Sequence, residues 1–232
     1  NYPMVHTKLE GRYALSLLAR HAHAWSEHHF SLLLKVLEYG YTTRDIGIIY
    51  SKDLDAHGIN TLYAYADSGF SAPRSQGCRL TMMNGAAVSY TSARHSTTDD
   101  STAAAELTEC YLASSDVVGL RNLMAEMGCF QEAPTVLYQD NTPAISIANH
   151  RGSLARKSKA MDIRVFAIRN RIEDQQVRLQ YLNTLEMIAD LGTKALDARR
   201  FAFLRDVMNG YALVRAGGGE GAAALPSLVV RF

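Results

Sequence analysis

Four acidic side chains in this sequence have surroundings that suit metal-ion chemistry: Asp67, Glu106, Asp140 and Asp190. Asp67 ends the alternating apolar run "TLYAYAD", and Asp140 ends the apolar run "PTVLYQD". Turn-forming residues follow each of them at once. Because an α/β sheet holds its ligands at the carboxyl ends of strands, these two carboxylates would meet if their strands were neighbours.

The other two acids stand in apolar surroundings. Glu106 follows the small residues 103–105, which let a helix approach a sheet closely, and Asp190 lies within "MIADLG". Four converging carboxylates without matched cations would repel one another and raise their pKa values. Two magnesium or manganese ions would relieve that repulsion, activate a water molecule and stabilise the leaving oxygen of a phosphodiester. By spacing alone, Asp67 and Asp140 could equally be turn formers, Glu106 a helix N-terminal charge and Asp190 a cap.

The elements that must position these acids follow a mixed α/β pattern. Residues 61–92 predict three consecutive antiparallel strands, the last two joined by a tight Asn84-Gly85 turn. A long helix is predicted from about Ser101 to Met127, closed by Gly128, and it would place "PTVLYQD" parallel to the first strand. Helical segments at about 158–174 and 185–208 and a strand at 177–182 complete a five-stranded mixed sheet flanked by helices.

Residues 1–58 predict a small N-terminal extension of two helices and a strand. In the second helix, apolar residues recur at helical spacing from Phe30 to Leu37, Ser26 can cap the start, and Gly40 follows the predicted end. The run "IGIIY" at 46–50 predicts a short strand, and the polar residues 51–60 mark a boundary. The main domain would then cover 59–214, followed by a Gly/Ala-rich tail at 215–232.

Composition limits the class of protein. A chain of 232 residues with 47% hydrophobic content can bury one sizeable core, and its apolar runs are far shorter than the roughly 20 residues that cross a bilayer. Three widely spaced cysteines without a CxxC pair are typical of core thiols in a reducing compartment. The net charge is only +1, but residues 151–178 are strongly basic, which is consistent with a phosphate-binding patch or with a solvated helix face.

Five segments carry a family resemblance: "YADSGF", "STAAAELTECYLAS", "LYQDNTPAISIAN", "KAMDIRVFAIR" and "TLEMIADLGTKAL". In this order and at these intervals they resemble the ribonuclease H domain of copia-type LTR retrotransposon polyproteins. The segment "HHFSLLLKVLEYGYTTRDIGIIYS" resembles the connection between reverse transcriptase and nuclease in the same polyproteins. The resemblance covers about residues 11–214.

The resemblance implies a ribonuclease H-like fold and an enzyme that hydrolyses the RNA strand of RNA–DNA hybrids. It places the family's catalytic, metal-binding acids at Asp67, Glu106, Asp140 and Asp190, with two Mg²⁺ ions that Mn²⁺ can replace, and it implies products with 5′-phosphate ends. Selectivity would come from reading 2′-hydroxyl groups in the wide minor groove of the hybrid. The expected partners are the hybrid and the reverse transcriptase polymerase domain, and no membrane. The predicted substrate-binding residues are Ser68, Asn141, Lys157, Lys159, Arg164 and Arg171.

The sequence also departs from the family pattern. Ala155 and Ala160 stand where the family commonly has histidines, and a usually lysine-rich stretch is here "TSARHSTTDD". No general acid is assigned: His95 or His150 could serve, although a lone loop histidine is more often a solvated polar residue. Two function classes therefore stay open, a working hybrid nuclease and a catalytically silent retroelement domain that acts as a nucleic-acid-binding or structural subunit.

Overall fold

A mixed five-stranded sheet forms the centre of the computed structural model, which describes residues 7–51, 57–149 and 159–211, without the side chains of 159–162. The strand order is β3-β2-β1-β4-β5, with β1, β2 and β3 antiparallel and β4 and β5 parallel to β1. The strands are β1 (Tyr63–Gly69), β2 (Gln76–Met83), β3 (Ala86–Arg94), β4 (Thr135–Gln139) and β5 (Val177–Tyr181).

Helices cover both faces of this sheet. Those in the described residues are α1 (Arg12–Ala19), α2 (Glu27–Thr42), α3 (Thr102–Glu126), α4 (Thr142–Asn149), α5 (Lys159–Glu173) and α6 (Ala198–Met208). The predicted α/β fold, a five-stranded mixed sheet with flanking helices, is confirmed. None of the described helices combines the length and the apolar character that crossing a membrane would require.

The alternation along β1 separates the two core layers. Tyr63 and Tyr65 pack on one side with residues of α6 and the segment that precedes it, whereas Ala64 and Ala66 pack on the other side against α3. Successive side chains of a strand point to opposite faces of the sheet. One face of β1 therefore contributes large tyrosine side chains to its core layer, and the other face contributes small alanine side chains. The small alanines let α3 lie tightly against the sheet.

The predicted turn and helix-end signals are confirmed where backbone geometry specifies them. Asn84 and Gly85 have φ angles of 51° and 80°, the left-handed pair that a two-residue hairpin turn needs. Ser101 caps α3 by accepting a hydrogen bond from the Ala104 N–H. Gly128 has a φ of 80° just after that helix, and the N–H of Cys129 reaches back to the Met124 carbonyl.

The N-terminal extension differs from its prediction in two places. Ser26 caps α2 as expected, but the helix runs through Gly40 to Thr42, so Gly40 does not end it. Residues 46–50 do not form the predicted strand. The N–H groups of Ile49 and Ser51 instead donate singly to the carbonyls of Asn209 and Asn84, which belong to loops and not to a strand ladder.

The predicted helix at 185–208 is wrong in its first half. Two short 3-10 turns, Thr184–Glu186 and Ile188–Gly192, precede α6, which begins only after the cap residue Asp197. The apolar side chains at 187–191 are buried against the sheet by these turns, which the apolar periodicity could not distinguish from a helix.

The proposed boundaries 1–58, 59–214 and 215–232 stay predictions, because residues 52–56 and 212–232 lie outside the described chain.

Candidate active site

Three of the four predicted acids converge at one edge of the sheet. Carboxylate oxygens of Asp67, Glu106 and Asp140 all lie within 4.8 Å of one another. The register of the parallel strands explains the first contact, because Tyr65 of β1 pairs with Tyr138 of β4 and each acid stands two residues further on. Glu106 comes from the N-terminal part of helix α3.

Glu106 has a strongly raised pKa in this cluster. Burial and the neighbouring charges of Asp67 and Asp140 raise the pKa of Glu106 to about 9, although the Gln139 amide donates a hydrogen bond to its Oε2 at 3.1 Å. Burial also raises the pKa of Asp67, with a smaller opposing effect of Lys194 and Thr193. The site therefore favours cations or protons on its oxygens.

The fourth acid, Asp190, lies beside Asp67 on the 3-10 turn and outside the group of three. The hydrogen bond and charge of Asp190 are among the influences that raise the pKa of Asp67. The ammonium of Lys194 lies 2.6 Å from Asp190 Oδ1 and 3.5 Å from Asp67 Oδ2. Burial would lower the pKa of Lys194, but the two carboxylates raise it. A lysine thus balances this half of the site.

Neutral donors hold the cluster in place from two sides. The Thr193 hydroxyl donates to Asp67 Oδ2, and the Thr184 hydroxyl donates to Asp140 Oδ2 at 2.7 Å. The Oε1 atom of Gln139 accepts the backbone N–H of Asp140 at 2.7 Å. One buried amide therefore orients both Glu106 and the start of the loop that carries Asp140.

The donor set fits a divalent metal ion. Asp67, Glu106 and Asp140 offer several carboxylate oxygens without a nitrogen or sulfur ligand among them, and such hard donors suit Mg²⁺ or Mn²⁺. Burial, together with the charges of Asp67 and Asp140, disfavours the ionised form of Glu106 and raises its pKa. A divalent ion bound at these residues would stabilise that ionised form.

Two of the predicted substrate-binding residues have structural contacts of their own. Asn141 accepts the Ala144 N–H on its Oδ1 at 2.9 Å, which begins α4 directly after Asp140. Ser68 follows Asp67 and is buried, and its hydroxyl has no hydrogen-bond partner among the described residues. Contact of either residue with a substrate stays a prediction.

Arg164 and Arg171 of the basic stretch lie on α5, which packs against α3. Arg164 donates to the hydroxyls of Thr108 and Thr97, at 2.7 and 3.0 Å. Arg171 donates to the Tyr111 carbonyl at 3.0 Å and to the Ser114 hydroxyl. Lys157 and the side chain of Lys159 lie outside the described residues. The two arginines thus join α5 to α3, and their predicted role toward phosphates stays open.

His95 is not the solvated loop residue that the sequence suggested. Only 5% of it is exposed, and its ring nitrogens lie 2.7 Å from Asp99 Oδ2 and 2.9 Å from Glu109 Oε2. Burial would lower the pKa of His95, but hydrogen bonds and charge from Glu109 and Asp99 raise it. A buried, doubly paired ring cannot serve as an exposed general acid. His150 lies outside the described residues.

Sequence reasoning missed two residues that shape the site. Lys194 stands four positions after Asp190, a spacing at which side chains on a turn or helix meet. An ion pair between the two residues could therefore have been predicted from the sequence. Gln139 immediately precedes Asp140 at the end of an apolar strand. The Gln139 amide is fully buried there and needs hydrogen-bond partners. A polar residue at the end of an apolar strand was therefore the sequence signal for its role.

Comparison with known proteins identifies relatives over most of the chain. The Pol polyprotein from transposon RE2 of Arabidopsis thaliana is 27% identical over 202 residues, which are 85% of this chain and 13% of that polyprotein. The chain is a homologue of retrotransposon Pol polyproteins. The transposon Ty1-LR2 Gag-Pol polyprotein of Saccharomyces cerevisiae is 24% identical over 197 residues, 83% of this chain and 11% of its own length. The predicted resemblance is confirmed.

The chain therefore spans only about an eighth of the length of the relatives it matches. Among solved structures, LC11-RNase H1 from a compost metagenome gives a TM-score of 0.45 at 14% identity, covering 58% of this chain and 94% of that one. The N-terminal RNase H domain of rv2228c from Mycobacterium tuberculosis gives 0.43 at 11% identity, covering 62% and 95%. No protein-family model matches the chain.

Proposed function

We propose that this Pol homologue is an endoribonuclease that hydrolyses the RNA strand of RNA–DNA hybrids. The observation that carries the proposal is the convergence of Asp67, Glu106 and Asp140 within 4.8 Å at the carboxyl ends of β1 and β4. Carboxylates in such proximity, two of them buried, cost folding free energy unless cations compensate them. Their retention is therefore best explained by a function of the site.

Divalent metal ions would be held by Asp67, Glu106, Asp140 and Asp190, with Mg²⁺ as the expected ion, two ions per site, and Mn²⁺ as a substitute. When bound, the ions supply an activated water and charge stabilisation for the departing 3′-oxygen. The chain's own part is orientation. Gln139 fixes Glu106, and Thr184 and Thr193 fix the aspartates, so the oxygens are positioned before a substrate arrives.

Substrate contacts would come from the stretch that connects Asp140 to Asp190. Lys157, Lys159, Arg164 and Arg171 lie in that connection, with Ser68 and Asn141 adjacent to the acids. Cations along it would neutralise phosphates of the hybrid, and contacts with 2′-hydroxyl groups would distinguish RNA from DNA.

The proposed protein partner is a polymerase domain of the same polyprotein. Helix α2 exposes an apolar stripe, and its members are 49–70% exposed: Phe30, Leu34, Leu37 and Tyr41. Their spacing places them on one side of a helix. The relatives are much longer than this chain, and a polymerase domain of such a polyprotein would be the partner that covers this stripe.

A silent domain that only binds nucleic acid is the alternative, and Lys194 is the observation in its favour, since it partly neutralises Asp67 and Asp190 without a metal. A labelled RNA–DNA hybrid incubated with the protein and Mg²⁺ separates the two functions. We expect cleavage of the RNA strand that EDTA abolishes and that spares a DNA duplex of the same sequence. Hybrid binding without Mg²⁺-dependent cleavage would support the silent domain.

A further inference from the structure

An apolar groove lies between α1 and α2, and none of its lining residues belongs to the acidic cluster. Its volume is about 520 Å³, and its floor consists of aliphatic and aromatic side chains: Ala14, Leu17, Leu18, Leu32, Val36 and Phe201. Most of these side chains are only partly buried. The groove thus keeps apolar surface in contact with water, which is the usual property of a binding surface.

Helix α2 forms one wall of the groove and is incompletely packed. It is 16 residues long, yet none of its residues is buried. A helix of this length is only marginally stable in water by itself, and helices in proteins owe most of their stability to the packing of an apolar face. A partner that covers Leu32 and Val36 in the groove would therefore complete the packing of α2.

The accessible charge around the groove is positive. Four basic residues line it: His21, His28, His29 and Lys35. The lining also contains Glu10, but this acid is only 2% exposed, its Oε1 accepts the Tyr39 hydroxyl at 2.9 Å, and its charge interacts with that of Lys8. The groove therefore favours a ligand that combines apolar surface with negative charge.

Two of the four basic residues are engaged with each other. The ring of His29 accepts the Ser26 N–H at 3.2 Å, which helps to cap α2, and it stacks on the ring of His21 with centroids 4.2 Å apart. His28 and Lys35 are both exposed, and Lys35 forms no ion pair with any residue that the structure describes. These two residues therefore remain as the rim groups for a ligand.

The spacing of His28 and Lys35 specifies the shape of that ligand. They stand two helical turns apart on α2, so they lie on the same side of the helix at a distance of about 10 Å along its axis. A ligand with a single carboxylate, such as a fatty acid, could contact only one of them. Two acidic side chains at positions i and i+7 of a second helix have the same separation, and they would flank an apolar face that covers the floor.

Nucleic acid and a bilayer fit the groove less well than a helix. Phosphate groups would leave the aliphatic floor uncovered, and a flat membrane surface does not enter a concave groove. The lining runs along α2 from His28 to Tyr39, about 16 Å, which is the length of three turns of a partner helix.

We propose that the groove between α1 and α2 binds an acidic amphipathic helix of another polypeptide. Its apolar side chains cover the floor, and two carboxylates at i and i+7 accept hydrogen bonds from His28 and Lys35. An imidazole N–H can donate in either protonation state, and the lysine ammonium donates as a cation. The apolar stripe of α2 lies on another side of the helix, so this partner and the polymerase domain would contact different residues.

A designed peptide tests the groove in the full chain. The probe is a fluorescein-labelled helical peptide with leucines at i, i+3, i+4 and i+7 and two glutamates seven positions apart beside them. A matched peptide carries lysines in place of the glutamates. Fluorescence anisotropy at low salt should show saturable binding of the glutamate peptide at micromolar concentrations and about tenfold weaker binding of the lysine peptide.

Reversing the charges of the groove should reverse this preference. We expect His28→Glu/Lys35→Glu to weaken binding of the glutamate peptide about tenfold and to strengthen binding of the lysine peptide. A folding defect would weaken both peptides, so the reversal identifies the groove. Leu34→Glu, which changes the apolar stripe instead, should leave both affinities unchanged.

Three results would overturn the proposal: no binding of the glutamate peptide, equal affinity for the two peptides, or loss of binding in Leu34→Glu, which would place the peptide on the stripe. Co-sedimentation with vesicles of phosphatidylcholine and phosphatidylserine provides the membrane comparison. Vesicle binding that His28→Glu/Lys35→Glu abolishes, without binding of the glutamate peptide, would assign the groove to a membrane surface and contradict a helical partner.

Discussion

The ammonium of Lys194 lies 2.6 Å from the carboxylate of Asp190, one helical turn earlier in sequence, and 3.5 Å from that of Asp67. The chain thus provides its own cation to Asp190 and to Asp67, the member of the three-carboxylate cluster that lies beside Asp190. An internal cation of this kind stabilises the protein without metal and competes with metal for the same oxygens.

Replacing Lys194 should therefore separate stability from metal binding. We expect Lys194→Met to lower the unfolding free energy in EDTA by about 1–2 kcal/mol, because two buried carboxylates lose a partly exposed cation. Mg²⁺ should stabilise the variant more than the parent. Urea unfolding with and without Mg²⁺ measures both effects, and the exposed Lys35→Met is the control. A smaller Mg²⁺ effect in Lys194→Met than in the parent would contradict this account of Lys194.

Gly192 positions the turn that carries Asp190. A Cβ atom there would lie 2.4 Å from Cys78 Sγ and 2.8 Å from the Tyr90 hydroxyl. Gly192→Ala should therefore destabilise the protein by about 1–3 kcal/mol through overpacking. Gly119, within α3, has nothing within 4 Å of such an atom, and Gly119→Ala should stabilise by about 0.5–1 kcal/mol. Stability changes of opposite sign for Gly192→Ala and Gly119→Ala in thermal unfolding would verify the close approach of Gly192 to Cys78. Equal changes would exclude it.

The buried His95 network predicts a pH dependence of stability. Because its folded-state pKa is raised above the ordinary value near 6.5, the folded chain holds the proton more tightly than the unfolded chain. The stabilisation is complete below about pH 6.5 and is lost as pH rises through the folded-state pKa. His95→Gln should remove this dependence, and the exposed His23→Gln should retain it. The measurement is urea unfolding from pH 5 to 9. The unfolding free energy of the parent minus that of His95→Gln should fall as the pH rises above 6.5, and a rise of this difference would contradict the assignment.

The basic stretch should show its role in the salt dependence of hybrid binding. If Lys157 and Lys159 neutralise phosphates, Lys157→Glu/Lys159→Glu should weaken binding and flatten the slope of log affinity against log salt by about 0.7–0.9 per contact. The rate at saturating hybrid should change little. Lys35→Glu on α2, combined with Arg44→Glu just after that helix, is the matched charge control. An unchanged slope and affinity would remove the stretch from substrate binding.

The sequence predicted the elements whose signals are local. The alternation in "TLYAYAD", the Asn84-Gly85 turn and the Ser101 and Gly128 helix ends each specify backbone geometry within a few residues, and all are present. Parallel pairing of β1 and β4 followed from the crossover helix, and it brought Asp67 and Asp140 together.

The missed features depend on long-range contacts. Residues 46–50 carry the apolar character of a strand, yet their backbone partners are loops at Asn84 and Asn209, which no local pattern reveals. Residues 184–192 have helical periodicity but form turns, because close packing of Gly192 on Cys78 fixes that segment. The partners of His95 come from its own loop and from α3, so burial of that ring could not be inferred from a polar stretch.

The most direct test of the proposed nuclease compares hybrid binding and hybrid cleavage in Asp140→Asn. Binding should be unchanged or tighter, because negative charge is removed while phosphate contacts remain, and Mg²⁺-dependent cleavage should fall by at least about a hundredfold. Asp174→Asn, an exposed acid at the end of α5, should retain both activities. Cleavage by Asp140→Asn at the parental rate would contradict the account.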